Sequence, residues 1–432
     1  MKGDFTRNTF DRSRHFSRVL MQQGRVQLDA DWNEQAAILL HYLRALAADL
    51  IGPFGGPDPG CGFTLAAKAA DFTVGGGHYY VDGLLCENDR TDVTFFNQED
   101  YPSPDNLLPA KTYLTYLDVW ERHTTALEES AIREVALGGP DTATRTKVVW
   151  QVRVIGKLPN GNDIPAGILP DDANKQWPKW VQAWNDQAAC QLKVRLNPGQ
   201  AYTDPCTIPP DSMYRGQENQ LYRVEIHGDG TLKDGHPSFK WSRDNGSIAA
   251  EWLGNSEDGG LIVSCARGFA AGQWVEITSD ADDLLARPGK FNQIVKVEGD
   301  LLYLAMNEAF DEKVAKKVRR WDQRETEGIH LTDGAVPVTE GTTDADWIDL
   351  ENGVQVQFQP KGSYRTGDYW LIPARTVGTI EWPGTPKNPD AAAPHGIRHH
   401  YAPLWIISTA IDGKVTVDPK NDLRRKFAAM AK

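Results

Sequence analysis

A mainly β protein with a minor α component is predicted by three observations. Beyond residue 62 apolar residues recur at every second position in short runs bounded by turn residues. The chain carries 39 Gly and 26 Pro, enough punctuation for many short strands. One stretch near the N-terminus alone keeps a helical period. At 432 residues the chain exceeds the usual size of one domain, so the expected architecture is a multi-unit antiparallel β-sandwich and barrel.

Residues 1–60 read as an extended arm and one amphipathic helix. Phe5, Phe10 and Phe16 stand at wide spacing among Arg7, Arg12, Arg14 and Arg18, with no helical period. Trp32, Ala36, Leu39, Leu43, Leu46 and Leu50 then share one helical face, after a capping-box pattern at Asp31 and Glu34. The helix is expected over about Trp32 to Leu50, stopped by Gly52-Pro53.

Residues 61–254 read as the main β domain. Phe72–Val74, His78–Val81 and Leu84–Cys86 are short strands around a tight Asp82-Gly83 turn, and Tyr113–Trp120 and Val148–Ile155 are central strands. A Pro/Trp-rich surface insertion interrupts them at about 159–210. Gln220–His227 resumes alternation, and Asp244-Asn245-Gly246 between Phe239–Trp241 and Ile248–Trp252 predicts a hairpin, since Asn-Gly tolerates the positive φ of a type I′ turn. Residues 255–305 read as a small barrel-like unit with strands at Leu261–Val263, Trp274–Thr278, Ile294–Val297 and Leu301–Leu304. Residues 306–432 supply the β part that completes the main domain.

The net charge of −13 argues against a general nucleic-acid binder, which needs clustered Lys and Arg. Ala36 to Ile51 is interrupted by His41, Arg44 and Asp49, so no transmembrane helix is expected. Met1–Arg7 is polar, so neither is a Sec-type signal peptide, and synthesis in a cytoplasm is expected. Cys61, Cys86, Cys190, Cys206 and Cys265 lack Cys-x-x-Cys spacing and read as reduced, buried thiols, with a Cys190–Cys206 bridge as the alternative.

Several clusters invite chemistry and have plainer readings. Asp29-Ala30-Asp31 begins like a calcium loop but lacks the Gly and bidentate Glu such a loop needs, so helix capping is expected. His395, His399 and His400 are close enough to hold zinc or iron, yet sit in a Pro/Gly loop without a fourth ligand, and read as hydrogen-bonded structural histidines. Asp280, Asp282, Asp283, Asp344 and Asp346 offer carboxylate pairs of the glycosidase kind, but read as solvated turns. Trp177, Trp180 and Trp184 could stack on sugars and read instead as core or interface anchors. A P-loop, a dinucleotide fingerprint, a nucleophile elbow and a zinc-protease helix are all missing from the sequence. No residue is assigned as catalytic, cofactor-binding or metal-ligating.

Longer segments carry a resemblance. Met1-Lys2-Gly3-Asp4-Phe5-Thr6-Arg7 with Gln22-Gln23-Gly24-Arg25-Val26-Gln27-Leu28-Asp29-Ala30-Asp31-Trp32-Asn33-Glu34-Gln35, then Ile132–Arg145, Glu218–His227, Phe239–Gly246 and Arg365–Arg375, resemble a bacterial family of uncharacterised phage-tail-like proteins associated with extracellular contractile injection systems. The resemblance implies a structural, multi-copy component of such a particle rather than an enzyme: a baseplate part, a fibre or spike attachment, or a particle-anchoring module. Its expected partners are the other subunits and further copies of itself, with no nucleic acid and no cofactor. The particle itself would be cytoplasmic, membrane-attached or released. A tail-fibre-like receptor or polysaccharide-binding module, with a surface glycan as partner, is the alternative reading, and a glycan-degrading enzyme a further one.

Overall fold

The computed structural model describes residues 1–165, 167–185, 189–197, 213–326 and 329–428. The protein is mainly β, with several sheets, a closed barrel and three α-helices among the described residues. An extended arm leads into helix α1 (Asp29–Ile51), whose backbone stops where Gly52 N–H bonds Ala48 O and Gly52 takes a φ of 92°. The helix begins three residues before the expected Trp32. Asp31 accepts a bond from the Leu28 backbone N at 3.4 Å, whereas Glu34 is turned away to Thr9, so the expected capping box is shifted. No helix of the described residues is long and apolar enough to cross a membrane.

The first core lies between two four-stranded sheets. One runs Lys426–Ala428, Phe54–Asp58, Gly77–Val81, Leu84–Asn88, and the other Val415–Asp422, His400–Thr409, Thr112–Thr124, Arg145–Ile155. Phe63, Phe72, Phe95, Tyr79 and Leu117 fill the space between them, all fully buried. The described part of the insertion expected at 159–210 is more than surface, and its residues 198–210 lie outside the described residues. Helix α2 (Pro170–Asn185) buries Trp177 and Trp180 in this first core, and Leu192–Leu196 is a strand. Its Pro and Asn content masked a helix that holds Pro178 in its interior, because three Trp at positions 177, 180 and 184 supply the apolar face that anchors it.

The second core is built from the five-stranded sheet Val336–Pro337, Ser238–Ser242, Gln220–Gly228, Tyr369–Arg375, Thr379–Ile380 and the three-stranded sheet Ile348–Asp349, Val354–Phe358, Leu192–Leu196. Tyr222, Phe239, Phe358 and Trp370 meet there. The closed barrel follows the order Ala249–Asn255, Leu261–Val263, Leu301–Leu304, Lys290–Glu298, Trp274–Ser279, Lys316–Trp321, around Trp252, Val275, Ile294, Leu302 and Val318. It therefore draws a strand from each side of the 255–305 segment. Helix α3 (Asp280–Leu284) follows Trp274–Ser279, with Ser279 as its N-cap.

The expected hairpin at Asp244-Asn245-Gly246 is not one. The turn has the predicted backbone, with φ of 54° at Asn245 and 62° at Gly246. Its two flanking strands, however, enter different sheets: Ser238–Ser242 pairs with Gln220–Gly228, while Ala249–Asn255 joins the barrel and pairs with Lys316–Trp321. Ser242 Oγ, which accepts from Gly246 N, and the Asn245 amide, which donates to Gly3 O, hold the corner. Turn chemistry fixes the local path, and the choice of partner strand is made by burial farther away.

Candidate interaction surface

Each cluster singled out in the sequence finds partners within the chain. His399 Nδ1 lies 2.6 Å from Asp118 Oδ1, and His400 Nδ1 lies 2.9 Å from Asp82 Oδ2. His395 packs against the Tyr369 ring. Asp29 accepts from the Thr6 N–H and hydroxyl at 3.0 and 2.7 Å. Asp282 and Asp346 cap short helical turns through Ser279 and Thr343, and Asp344 pairs with Arg195 at 2.6 Å. Trp184 packs on Tyr116 and Tyr401, so the three Trp of α2 form core. Cys86 and Cys190 are buried free thiols and Cys61 is half-buried, but Cys265 is exposed, contrary to expectation. Cys206 lies outside the described residues.

The carboxylates of Glu128, Asp280 and Asp283 converge to within 4.8 Å of one another, a spacing that suits a cation. The cation already there is Lys317, with Nζ 2.5 Å from both Glu128 and Asp283, while Arg122 donates to Asp280 at 2.8 Å. Burial would raise the Glu128 carboxyl, but the Lys317 ammonium dominates and holds it down at about 2. The three carboxylates are therefore neutralised within the chain by Lys317 and Arg122.

A second charged cluster, missed in the sequence, sits where the five-stranded sheet meets the barrel. Lys240 Nζ lies 2.6 and 2.7 Å from the two Glu276 oxygens and 3.3 Å from Glu225. Arg223 Nε bonds Glu225 at 2.5 Å, and Lys2 Nζ reaches the same carboxylate at 3.0 Å. Trp321 Nε1 and Gly289 N donate to Glu276 at 2.8 and 3.0 Å, and His227 Nδ1 lies 3.5 Å from it. Burial disfavours both carboxylates as anions, yet Arg223, Lys2 and Lys240 hold Glu225 far below its ordinary range, and Lys240 does the same for Glu276. The arm is locked into this junction: Arg223 donates to Met1 O, and Arg223 and Asn245 share one hydrogen bond before Asn245 reaches Gly3. The available sign was Arg223 and Glu225 alternating with Tyr222, Val224 and Ile226 on a strand buried on both faces.

Helix α1 presents the opposite pattern. Its inward face is small: Ala30, Ala37, Ala45 and Ala48 surround Ile38, which is only 5% exposed. Small side chains admit close approach of the Asp82-Gly83 turn, where a Cβ on Gly83 would stand 2.3 Å from the Arg44 carbonyl oxygen. Arg44 then fastens the helix to Glu121 with two hydrogen bonds at 2.9 and 2.7 Å. The face expected to be apolar points outward. Trp32 is 79% exposed and Leu43 59%, with Leu39, Leu46 and Leu50 on the same stripe and Leu40 and Tyr42 beside it.

The arm borders this stripe on one flank, where Val19 N bonds Gln35 Oε1 at 2.8 Å, and it exposes Phe16, Leu20, Met21, Val26 and Leu28. On the other flank a groove of about 670 Å³ opens between α1 and the sheets, lined by Leu40, Leu43 and Trp150 and by Glu87, Asp89, Glu99 and Asp100. Of the 26 large hydrophobic residues exposed among the described residues, 12 fall between Phe16 and Leu50. Single exposed apolar residues are ordinary on a protein surface, whereas a concentration of this kind makes the arm and α1 the candidate interaction surface.

These features define a mainly β protein with a charge-locked barrel and an apolar helical face open to solvent. The chain belongs to the family of unknown function DUF6519, whose model matches residues 1–163 and 176–411. No curated protein and no solved structure matches it.

Proposed function

We propose that the chain is a structural, multi-copy component of a phage-tail-like contractile injection system, acting through protein–protein contacts and not through catalysis. The observation that carries this reading is the outward Leu/Trp stripe of α1 with the apolar arm beside it. An uncovered surface of this extent belongs against another subunit. The particle is suggested by the resemblance of Met1–Arg7 and Gln22–Gln35, and these same residues build the arm, its anchorage in the junction and the start of α1. The acidic, hydrogen-bonded clusters support a scaffold role, since their carboxylates face Lys and Arg of the same chain.

The test is co-sedimentation. Particles purified from the native host and analysed by mass spectrometry should contain this chain in fixed ratio to sheath and tube proteins. Its absence from intact particles would reject the reading.

A further inference from the structure

We propose that the α1 face docks a second copy of this chain, the arm segment 16–28 and Leu stripe of one copy seating in the acidic groove of the next. The two flanks of the stripe are unlike, and that sets the kind of contact. Gln35, which holds the arm, and Leu40, which lines the groove, project about 140° apart around the helix. A convex apolar arm on one side and a concave groove on the other make a heterologous contact, which closes into a ring or propagates.

Charge agrees with this assignment. Within 16–28 the arm carries Arg18 and Arg25 and no carboxylate, while Arg14 just before it is paired with Asp11 at 3.5 Å. The groove is lined by Glu87, Asp89, Glu99 and Asp100 against Arg44, Arg90 and Lys147, and two of those cations also face carboxylates just outside it, Arg44 with Glu121 and Arg90 with Asp92. Lys147 itself sits between Glu99 and Asp100 at 3.3 and 3.0 Å. The groove is therefore negative overall where the arm is positive.

The stripe between them carries no opposing charge. Glu34 accepts the Thr9 hydroxyl at 2.6 Å and Arg44 is held by Glu121, so the two charges between Trp32 and Asp49 are engaged within the chain. Twelve largely exposed apolar residues offer on the order of 800 Å², about one side of a standard protein interface. An anionic bilayer is the competing occupant for a basic apolar arm, but the groove carboxylates and Asp29, Asp31 and Asp49 at the helix ends would be repelled by it.

The proposal deepens the structural reading and is tested apart from it, on the purified full chain under reducing conditions, because Cys265 is exposed. Sedimentation velocity over a concentration series should show the wild type as a multiple of the monomer mass. The double variant Leu39→Glu/Leu43→Glu should weaken association on the order of a hundredfold while keeping the far-UV spectrum. Arg18→Glu/Arg25→Glu should do the same, and mixing it with Glu87→Lys/Asp89→Lys should restore the larger mass. A wild type that remains monomeric overturns the proposal, as does a monomer that floats with vesicles of phosphatidylglycerol and phosphatidylcholine. Association unchanged in both arm and stripe variants overturns it too. A chain that associates this way but is absent from particles keeps the docking face and rejects only the particle.

Discussion

At the junction beneath the barrel, Lys240, Glu225 and Glu276 are almost wholly buried, whereas along α1 Trp32 and five leucines stand in solvent. Both invert the ordinary partition of charge outside and apolar inside, but they differ in whether the inversion is compensated. Lys2, Arg223, Lys240, Glu225 and Glu276 each meet an opposite charge within the chain. The α1 stripe has no such counterpart among the described residues. The difference separates a charged cluster compensated within the chain from an apolar face left in solvent, and the following experiments bear on that separation from the largest expected effect downward.

Lys240→Met should be the most damaging single change. It removes the cation shared by Glu225 and Glu276; Glu225 keeps Arg223 and Lys2, but Glu276 loses its ammonium partner while buried, a loss of about 3–5 kcal/mol in urea unfolding. The exposed pair Lys296–Glu298, at 2.5 Å, should contribute below about 1 kcal/mol by the same assay. Equal effects at the two sites would remove the junction's special standing. Gly83→Ala is next, because its Cβ meets the α1 backbone and its φ is 80°. A loss of about 2 kcal/mol or more is expected, with faster amide exchange over 29–51. Unchanged exchange would mean that the turn does not seat the helix.

The pH dependence comes from the edge of the junction. His123, packed on Phe5 and bonded to Thr144 at 2.9 Å, is held down to about 3 from an ordinary 6.5, first by burial and then by the charged N-terminus. Below pH 6.5 the unfolded chain takes up a proton that the folded chain refuses, so stability falls as pH drops toward about 3. Glu128, lowered to about 2 from 4.5, adds its own loss as pH falls from 4.5 toward 2. Unfolding free energies at pH 7 and pH 5 should therefore differ, and His123→Gln should reduce that difference without abolishing it, because burial also lowers the Met1 amine and the His395 ring, while leaving the lower interval. A His123→Gln curve parallel to the wild type would exclude this histidine.

Much of this contrast was legible in the sequence and part of it was not. The short apolar run Leu301–Leu304 and the alternation of Val354-Gln355-Val356-Gln357-Phe358 located two strands to the residue, although the second is buried on both faces and its two Gln lie inside with the apolar residues. The stripe Trp32–Leu50 was also legible, but its direction was not, since periodicity shows that a face is apolar and not what covers it. The junction was hidden for a different reason. Lys2, Arg223, Lys240 and Glu276 come from distant segments, and each alone looks like an ordinary surface charge. The Asn245-Gly246 turn failed in pairing alone, because a turn specifies its own φ and ψ and leaves distant strands free.

A smaller effect tests local structure in the barrel. Ser279 caps α3, accepting from Asp282 N at 3.3 Å while donating to the Asp282 carboxylate at 2.7 Å. Ser279→Ala should cost about 1 kcal/mol. A neutral result would show that the strand before it, and not the cap, holds α3 in place.

The smallest expected change is the sharpest form of the comparison. Leu117 is wholly buried between the sheets of the first core, and Leu117→Ala should cost about 2–5 kcal/mol through lost transfer energy and the cavity left behind. Leu43→Ala removes the same atoms from a side chain that is 59% exposed in one copy. Measured at concentrations where the chain is monomeric, it should alter unfolding by no more than about 0.5 kcal/mol. The two leucines then differ only in what surrounds them: one is covered by its own chain, and the other stands largely in solvent. If Leu43→Ala destabilises the isolated monomer as Leu117→Ala does, the stripe is already covered within the chain, and the distinction between a closed junction and an open face disappears.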